Sequence, residues 1–213
     1  MHWLFYSSRF LLRILFFLLT RWRVRGKENV PRKGPVLIVA NHMSLIDVPL
    51  LAISPGRNVV FMAKKELFHS RCLNYLFHGL GAFPVDRGKL DRKALQQAIQ
   101  ALADGWAFAV FPEGVRSRNA QLQPAFPGSA LIALRSGAPV LPVGITGTEK
   151  IKGLASVLRR PKVTVNIGRP FYLPPANGKL TKVELAGFTD SIMRHIAELL
   201  PLEYRGSYAG EGD

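Results

Sequence analysis

Apolar residues along this chain fall into short continuous runs broken by polar turns, with longer stretches at helical spacing between them. Pro35-Val36-Leu37-Ile38-Val39-Ala40 lies between Gly34 and a polar turn, the pattern of a buried strand. Asn58–Met62, Ala82–Val85, Ala107–Phe111 and Val140–Val143 read as further strands. Lys162–Ile167 alternates apolar and polar instead, as an edge or outer strand does. A short helix is expected from Ser44, and Leu67–Leu80 reads as helical, ended by Gly79 or Gly81. Between Leu90 and Ala103, the residues Leu95, Ala98, Ile99 and Leu102 recur at helical spacing, with Gly105 as the stop. Pro127–Ser136 is a helix stopped by Gly137. The last helix starts at Thr181, where Glu184 completes a capping box, and runs to about Leu200 before Pro201. Strands alternating with helices predict a single α/β domain with a largely parallel central sheet flanked by helices. In such sheets chemistry collects in the loops at the carboxyl ends of the strands.

The start of the chain follows another rule. Trp3–Thr20 is rich in Leu, Phe and Ile but is interrupted by Arg9 and Arg13. The uninterrupted run Ile14–Leu19 is far shorter than the ~20 residues that span a bilayer. A secretory signal would carry its charge before the apolar stretch, not inside it. The expectation is an amphipathic helix lying in a membrane interface, its arginines reaching to the headgroups. The alternatives are an apolar helix docked on the chain's own core and a true span of shortened length. Positions 1–33 hold eight Lys or Arg against one acid, Glu28. Residues 1–33 are therefore expected to form a membrane-associating segment, 34–205 the catalytic-type domain and 206–213 a flexible tail.

Charge widens the choice of partners. The 213 residues hold 29 Lys plus Arg against 14 Asp plus Glu, a formal charge of +15. Such a surface attracts nucleic acid, anionic lipid or phosphorylated substrates. No nucleic-acid-binding motif is apparent, and the first basic segment is interleaved with a strongly apolar helix, so nucleic acid is not expected as a partner. The single cysteine, Cys72, cannot form an internal disulfide, which makes a reducing compartment the default. The five histidines and the cysteine show no metal-ligand spacing.

Three polar clusters each follow a predicted strand. The first is Asn41-His42-Met43-Ser44-Leu45-Ile46-Asp47. An imidazole steadied by a carboxylate suits removal of a proton from an alcohol. His42 and Asp47 are five apart, about 140° around a regular helix, so they meet only if His42 precedes the helix and Asp47 opens it. Ser44 with Asp47 also reads as a capping box, which accounts for Asp47 without catalysis. The second cluster, Gly81–Lys89, carries Arg87, whose planar fork suits a phosphate. The third is Phe111-Pro112-Glu113-Gly114-Val115-Arg116-Ser117-Arg118. Gly114 there lets backbone approach a ligand and leaves amides free for a developing oxyanion. Glu113 orders the loop by accepting hydrogen bonds or pairing with an arginine.

Together the clusters resemble the conserved blocks of the glycerophospholipid acyltransferase family, whose best-known bacterial members are the 1-acyl-sn-glycerol-3-phosphate acyltransferases. The family's N-H-x-x-x-x-D block is matched by Asn41, His42 and Asp47. Its second block is matched by Phe83 and Arg87, and its F-P-E-G-T-R-S block by Phe111, Pro112, Glu113, Gly114, Arg116 and Ser117. Its hydrophobic-Pro-hydrophobic strand is matched by Val140–Val143. Val115 departs from the family, standing where threonine is usual.

The resemblance implies direct acyl transfer from acyl-CoA or acyl carrier protein to the free hydroxyl of a lysophospholipid, with no bound cofactor and no metal. Within it, His42 is the general base and Asp47 orients it. Arg87, Glu113, Gly114 and Arg116 bind the acceptor. The acceptor implied is 1-acylglycerol-3-phosphate, with glycerol-3-phosphate or a lyso-aminolipid as alternatives. A non-enzymatic basic protein that binds membrane or nucleic acid is the remaining rival. The basic N-terminal segment fits the anionic cytoplasmic face of a membrane.

Overall fold

β2 (Val36–Ala40) is buried at every position and is the axis of the fold. In the computed structural model, residues 2–64, 68–71, 74–75, 81–85, 92–153, 156, 159–175 and 180–210 are described. The strands are β1 (Arg21–Arg25), β2, β3 (Val59–Lys64), β4 (Ala82–Val85), β5 (Ala107–Val110), β6 (Val140–Thr146) and β7 (Lys162–Ile167). They form a seven-stranded sheet in the order β1-β7-β6-β2-β5-β3-β4. β6, β2, β5, β3 and β4 are parallel; β7 is antiparallel to β6, and β1 is parallel to β7.

The helices are α1 (His2–Leu19), α2 (Asp47–Ile53), α3 (Arg92–Ala103), α4 (Gly128–Ser136) and α5 (Lys182–Glu198). α1 and α2 cover one face, where Phe16 and Leu50–Ile53 join Val36, Ile38, Leu141, Val143 and Ile145. α3, α4 and α5 cover the other, where Leu95, Leu102, Ile132, Ile192 and Ile196 meet Leu37, Val39 and Val140. A strand covered on both faces has no polar side to show, which is why β2 reads as an unbroken apolar run. Thr181 and Glu184 form the expected capping box at the start of α5.

The structure departs from the sequence reading in three places. Arg21–Arg25 is an edge strand, so the sheet begins inside the stretch assigned to the membrane-associating segment. Trp22 and Val24 pack inward while Arg21, Arg23 and Arg25 stay exposed, a period-2 pattern hidden by the density of arginine. β7 consequently lies one strand in from the edge. Gly206–Tyr208 forms a 3₁₀ turn instead of frayed tail, because Tyr208 packs against the α5 side of the core. Most of the expected Leu67–Leu80 helix lies outside the described residues.

The third departure concerns the arginines of α1. Arg9 is buried, and its guanidinium donates to the carbonyl oxygens of Ala52 and, at 2.6 Å, of Arg57. Arg13 donates to the Ile53 carbonyl at 3.3 Å. Ala52 and Ile53 end α2, where carbonyls lack helical partners and the helix dipole favours a cation. These arginines thus turn toward the protein, not toward headgroups. Phe16 and Thr20 continue the same buried stripe at i+3/i+4 spacing. The opposite side leaves Phe10, Leu11, Phe17 and Leu18 more than half exposed. No helix of the described residues is long and apolar enough to cross a membrane.

Replacing Arg9 by Met keeps an apolar stem but removes the donor to the Ala52 carbonyl at the end of α2 and to the Arg57 carbonyl. It should lower stability by about 2 kcal/mol, seen as a fall in denaturant midpoint at constant slope. Arg13→Met, at an exposed position, should shift stability by less than about 0.5 kcal/mol.

Candidate active site

β2, β5 and β6 run parallel, so the loops after Ala40, Val110 and Thr146 leave the sheet at one edge. Asn41, just past β2, continues the ladder with its side chain. Its Nδ2 donates to the Ile145 carbonyl at 2.9 Å, and its Oδ1 accepts from the Ile145 amide at 2.7 Å. The point at which the chain leaves the sheet is thereby fixed.

His42 follows and is held from three directions by the loop after β5. Its amide donates to Glu113 Oε1 at 2.8 Å, and its carbonyl accepts from the Ser117 amide at 2.8 Å. Its ring stacks on Phe111, with centroids 4.1 Å apart and planes 19° from parallel. His42 Nδ1 lies 2.9 Å from Asp47 Oδ2. The five-residue spacing works because His42 sits in the turn and Asp47 is the first residue of α2.

Asp47 has no exposed surface. Its Oδ2 also accepts from the amides of Met43 at 2.6 Å and Ser44 at 2.7 Å, and its Oδ1 accepts from Thr148 Oγ1 at 2.6 Å. The expected Ser44–Asp47 capping box is only half formed: Asp47 accepts from the Ser44 amide, but Ile46 is the N-cap and the Asp47 amide donates to the Ser44 backbone carbonyl. Because Asp47 accepts, Nδ1 carries the shared proton, and the free lone pair of a neutral ring lies on Nε2. Nε2 has no hydrogen-bond partner among the described residues.

Glu113, expected at the acceptor, has a different position. It is 1% exposed, and its oxygens accept from the amides of His42 and, at 2.9 Å, Gln123. The carboxylate is a bridge between the His42 turn and the loop after β5, with no surface left for a ligand. Burial pushes its pKa up to about 7, the two amides pull it down, and the charge of Asp47 adds to the rise. Gly114 adopts φ +66°, and a Cβ there would lie 2.9 Å from the Phe126 ring, so the turn requires glycine. Its amide donates to the Phe111 carbonyl at 3.0 Å and is therefore not available to an oxyanion. Arg116 is exposed on the same loop and makes no hydrogen bond or ion pair among the described residues. Arg87 lies outside the described residues; β4, which precedes it, ends at Val85 on the site edge of the sheet.

A cavity of about 350 Å³ lined by Asp190, Arg194, Glu198, Arg205 and Tyr208 lies against α5 and shares no residue with this arrangement. Among the described residues no three His, Cys, Asp or Glu side chains gather as metal ligands would.

Residues 21–146 match the family model described as Acyltransferase. The chain belongs to the acyltransferase family. This family member is 29% identical over 178 residues to the 1-acyl-sn-glycerol-3-phosphate acyltransferase of Bacillus subtilis, covering 83% of the chain and 87% of the relative. It is 31% identical over 156 residues to a chloroplastic 1-acyl-sn-glycerol-3-phosphate acyltransferase of Brassica napus, covering 70% of the chain but only 44% of the relative. The crystal structure of the 1-acyl-sn-glycerophosphate acyltransferase of Thermotoga maritima superposes with a TM-score of 0.68 at 29% identity, covering 92% of this chain and 79% of that one. The chain thus spans nearly the whole Bacillus relative and under half of the Brassica one.

Thr148 and the anchoring role of Asn41 were not anticipated. The signal for Thr148 was Gly147-Thr148 directly after a strand, hidden because the strand was ended at Val143 and not at Thr146.

The raised pKa of Glu113 has a defined linkage sign. Between the ordinary value of 4.5 and about 7, the folded state holds a proton that the unfolded state has released. Its stabilising contribution is complete below 4.5 and falls until about pH 7. Over that window the wild-type chain should lose stability relative to Glu113→Gln, by about 3 kcal/mol at most. Denaturant titrations at several pH values check this, and a difference independent of pH would contradict it.

Proposed function

We propose that this acyltransferase moves a fatty acyl group from acyl-CoA or acyl carrier protein to the free hydroxyl of 1-acylglycerol-3-phosphate, giving phosphatidic acid. The observation that carries the reading is His42 Nδ1 at 2.9 Å from a fully buried Asp47, on the same edge as the Phe111–Ser117 loop. His42 Nε2 takes the acceptor's hydroxyl proton as that oxygen attacks the thioester carbonyl. The tetrahedral intermediate collapses, the C–S bond breaks, and the imidazolium returns the proton to the departing thiolate. Asp47 keeps the ring's tautomer and stabilises the cation formed in between. The thioester is already activated, so positioning two substrates suffices and no acyl-enzyme is needed. Arg116 and Arg87 are the candidate seats for the acceptor phosphate.

His42→Ala should lower turnover at least 10²- to 10⁴-fold, the usual worth of a general base, while folding stays cooperative. Turnover of purified enzyme with 1-acylglycerol-3-phosphate and each donor measures this, and a fully active variant would falsify the assignment. The rival acceptor rests on one observation. Val115, where the family usually has threonine, is 56% exposed beside Arg116 and alters what the loop offers a headgroup. Turnover on glycerol-3-phosphate or a lyso-aminolipid exceeding that on 1-acylglycerol-3-phosphate would select the rival.

The same reading seats α1 on the cytoplasmic face of a membrane. Drawing a lysolipid wholly into water costs ~0.8 kcal/mol per CH₂, a cost an interfacial enzyme avoids. The support is the exposed apolar side of α1, left outward because Arg9 and Phe16 hold the other side to the core. Phe10, Leu11, Phe17 and Leu18 changed together to Ser should weaken partitioning onto anionic vesicles by tenfold or more, with the unfolding midpoint little changed. Equal sedimentation with vesicles in both forms would remove the interfacial helix from the account.

A further inference from the structure

Thr148 is completely buried, and its hydroxyl is directed at the catalytic carboxylate. Asp47 divides its donors unequally between its two oxygens. Oδ2 takes the His42 ring and the amides of Met43 and Ser44, all from its own loop. Oδ1 takes one donor, Thr148 Oγ1 at 2.6 Å, from a residue 101 positions away. Rotation of the carboxylate about its last bond would exchange the two oxygens and pull the ring partner out of line. The Thr148 bond pins that rotation from the side opposite the imidazole.

The backbone is shaped to bring the hydroxyl there. Gly147 adopts φ +89°, and a Cβ on it would stand 2.0 Å from the Lys162 carbonyl oxygen. Only glycine passes so close to β7, and this sharp exit from β6 sets Thr148 at the start of a 3₁₀ turn beside α2. The following residue secures the turn, since Glu149 Oε1 accepts from the Tyr204 hydroxyl at 2.7 Å.

We propose that Thr148 is a positioning residue for acyl transfer, holding Asp47 in the rotamer that aligns the His42 imidazole. The inference rests on the acyl-transfer reading above for its kinetic consequence, but not for its geometric one. Thr148 has no exposed surface to offer a substrate. Its loss should therefore reduce kcat and leave KM for donor and acceptor within about twofold.

The test uses the full chain and five forms: wild type, Thr148→Val, Thr148→Ser, Asp47→Asn and the Asp47→Asn/Thr148→Val double variant. Valine matches threonine in shape and lacks only the hydroxyl. Its kcat should fall roughly ten- to hundredfold, the kinetic equivalent of one charge-assisted hydrogen bond. Serine should restore turnover to within a few-fold of wild type. In the Asp47→Asn background the valine change should cost less than about twofold, because its route of action is already cut. The His42 Nδ1–H proton, observed by NMR without substrate, should give a sharp downfield resonance in wild type and Thr148→Ser. That resonance should broaden or move upfield in Thr148→Val. Serine losing as much turnover as valine would make the contribution one of methyl packing and overturn the proposal. So would an unchanged Nδ1–H resonance in Thr148→Val. A wild-type chain without transferase activity would remove the proposed function, and the NMR comparison would still decide the role of Thr148.

Discussion

A carboxylate with no exposed surface is tolerable only when its oxygens are matched by donors, and Asp47 is such a group. Four donors meet it: one imidazole, two amides and one hydroxyl. Each bond to a charged group is worth about 1.5–3 kcal/mol, and leaving one unmade costs a similar amount. Several such terms rival the whole stability of a domain, about 5–15 kcal/mol. The turn after β2, the first residue of α2 and the exit from β6 are therefore bound into one geometry. The alignment of the His42 imidazole follows from satisfying a buried charge.

The bonds around this centre close into a ring. From His42 the path runs to Asp47 and on to Thr148. Glu149, next in the chain, meets Tyr204, whose carbonyl accepts from the Leu122 amide at 2.9 Å. Gln123, next to Leu122, donates to Glu113, and Glu113 accepts from the His42 amide. A closed circuit resists displacement more than a chain of the same links, since moving one member strains two neighbours. It also gives the 3₁₀ turn at Leu202–Tyr204 a role behind the site, although that turn lies far from His42 in sequence.

Local signals were the legible ones. The continuous apolar run of β2, the capping box at Thr181 and the turn-then-helix placement of His42 and Asp47 are all encoded within a few residues, and all are realised. What stayed hidden depends on pairing between distant segments. Arg21–Arg25 shows no strand until β7 is placed beside it, because three arginines mask two inward-facing positions. Arg9 looks like a headgroup ligand until the end of α2 supplies carbonyls in need of a donor. Glu113 sits in a motif that points to a ligand, yet its burial between two amides is a property of loops meeting across the sheet edge. Thr148 lies 101 residues from its partner, beyond any local pattern.

The two ends of α2 connect the apolar helix to the chemistry. α2 is seven residues long, under two turns, so its two ends lie close together. Arg9 and Arg13 of α1 hold its C-terminal carbonyls, and its first residue is Asp47. A helix gains from cations at its C-terminus and from a carboxylate at its N-terminus, so both contacts favour the same dipole. Loosening α1 would unsatisfy the carbonyl end and free α2 to pivot. The pivot would be opposed at the other end by the four bonds on Asp47. The arginines that interrupt the apolar stretch of α1 therefore have a structural reason to be there. They fix the orientation of α1, so that its exposed apolar side faces away from the sheet while His42 and Asp47 stay at the sheet edge.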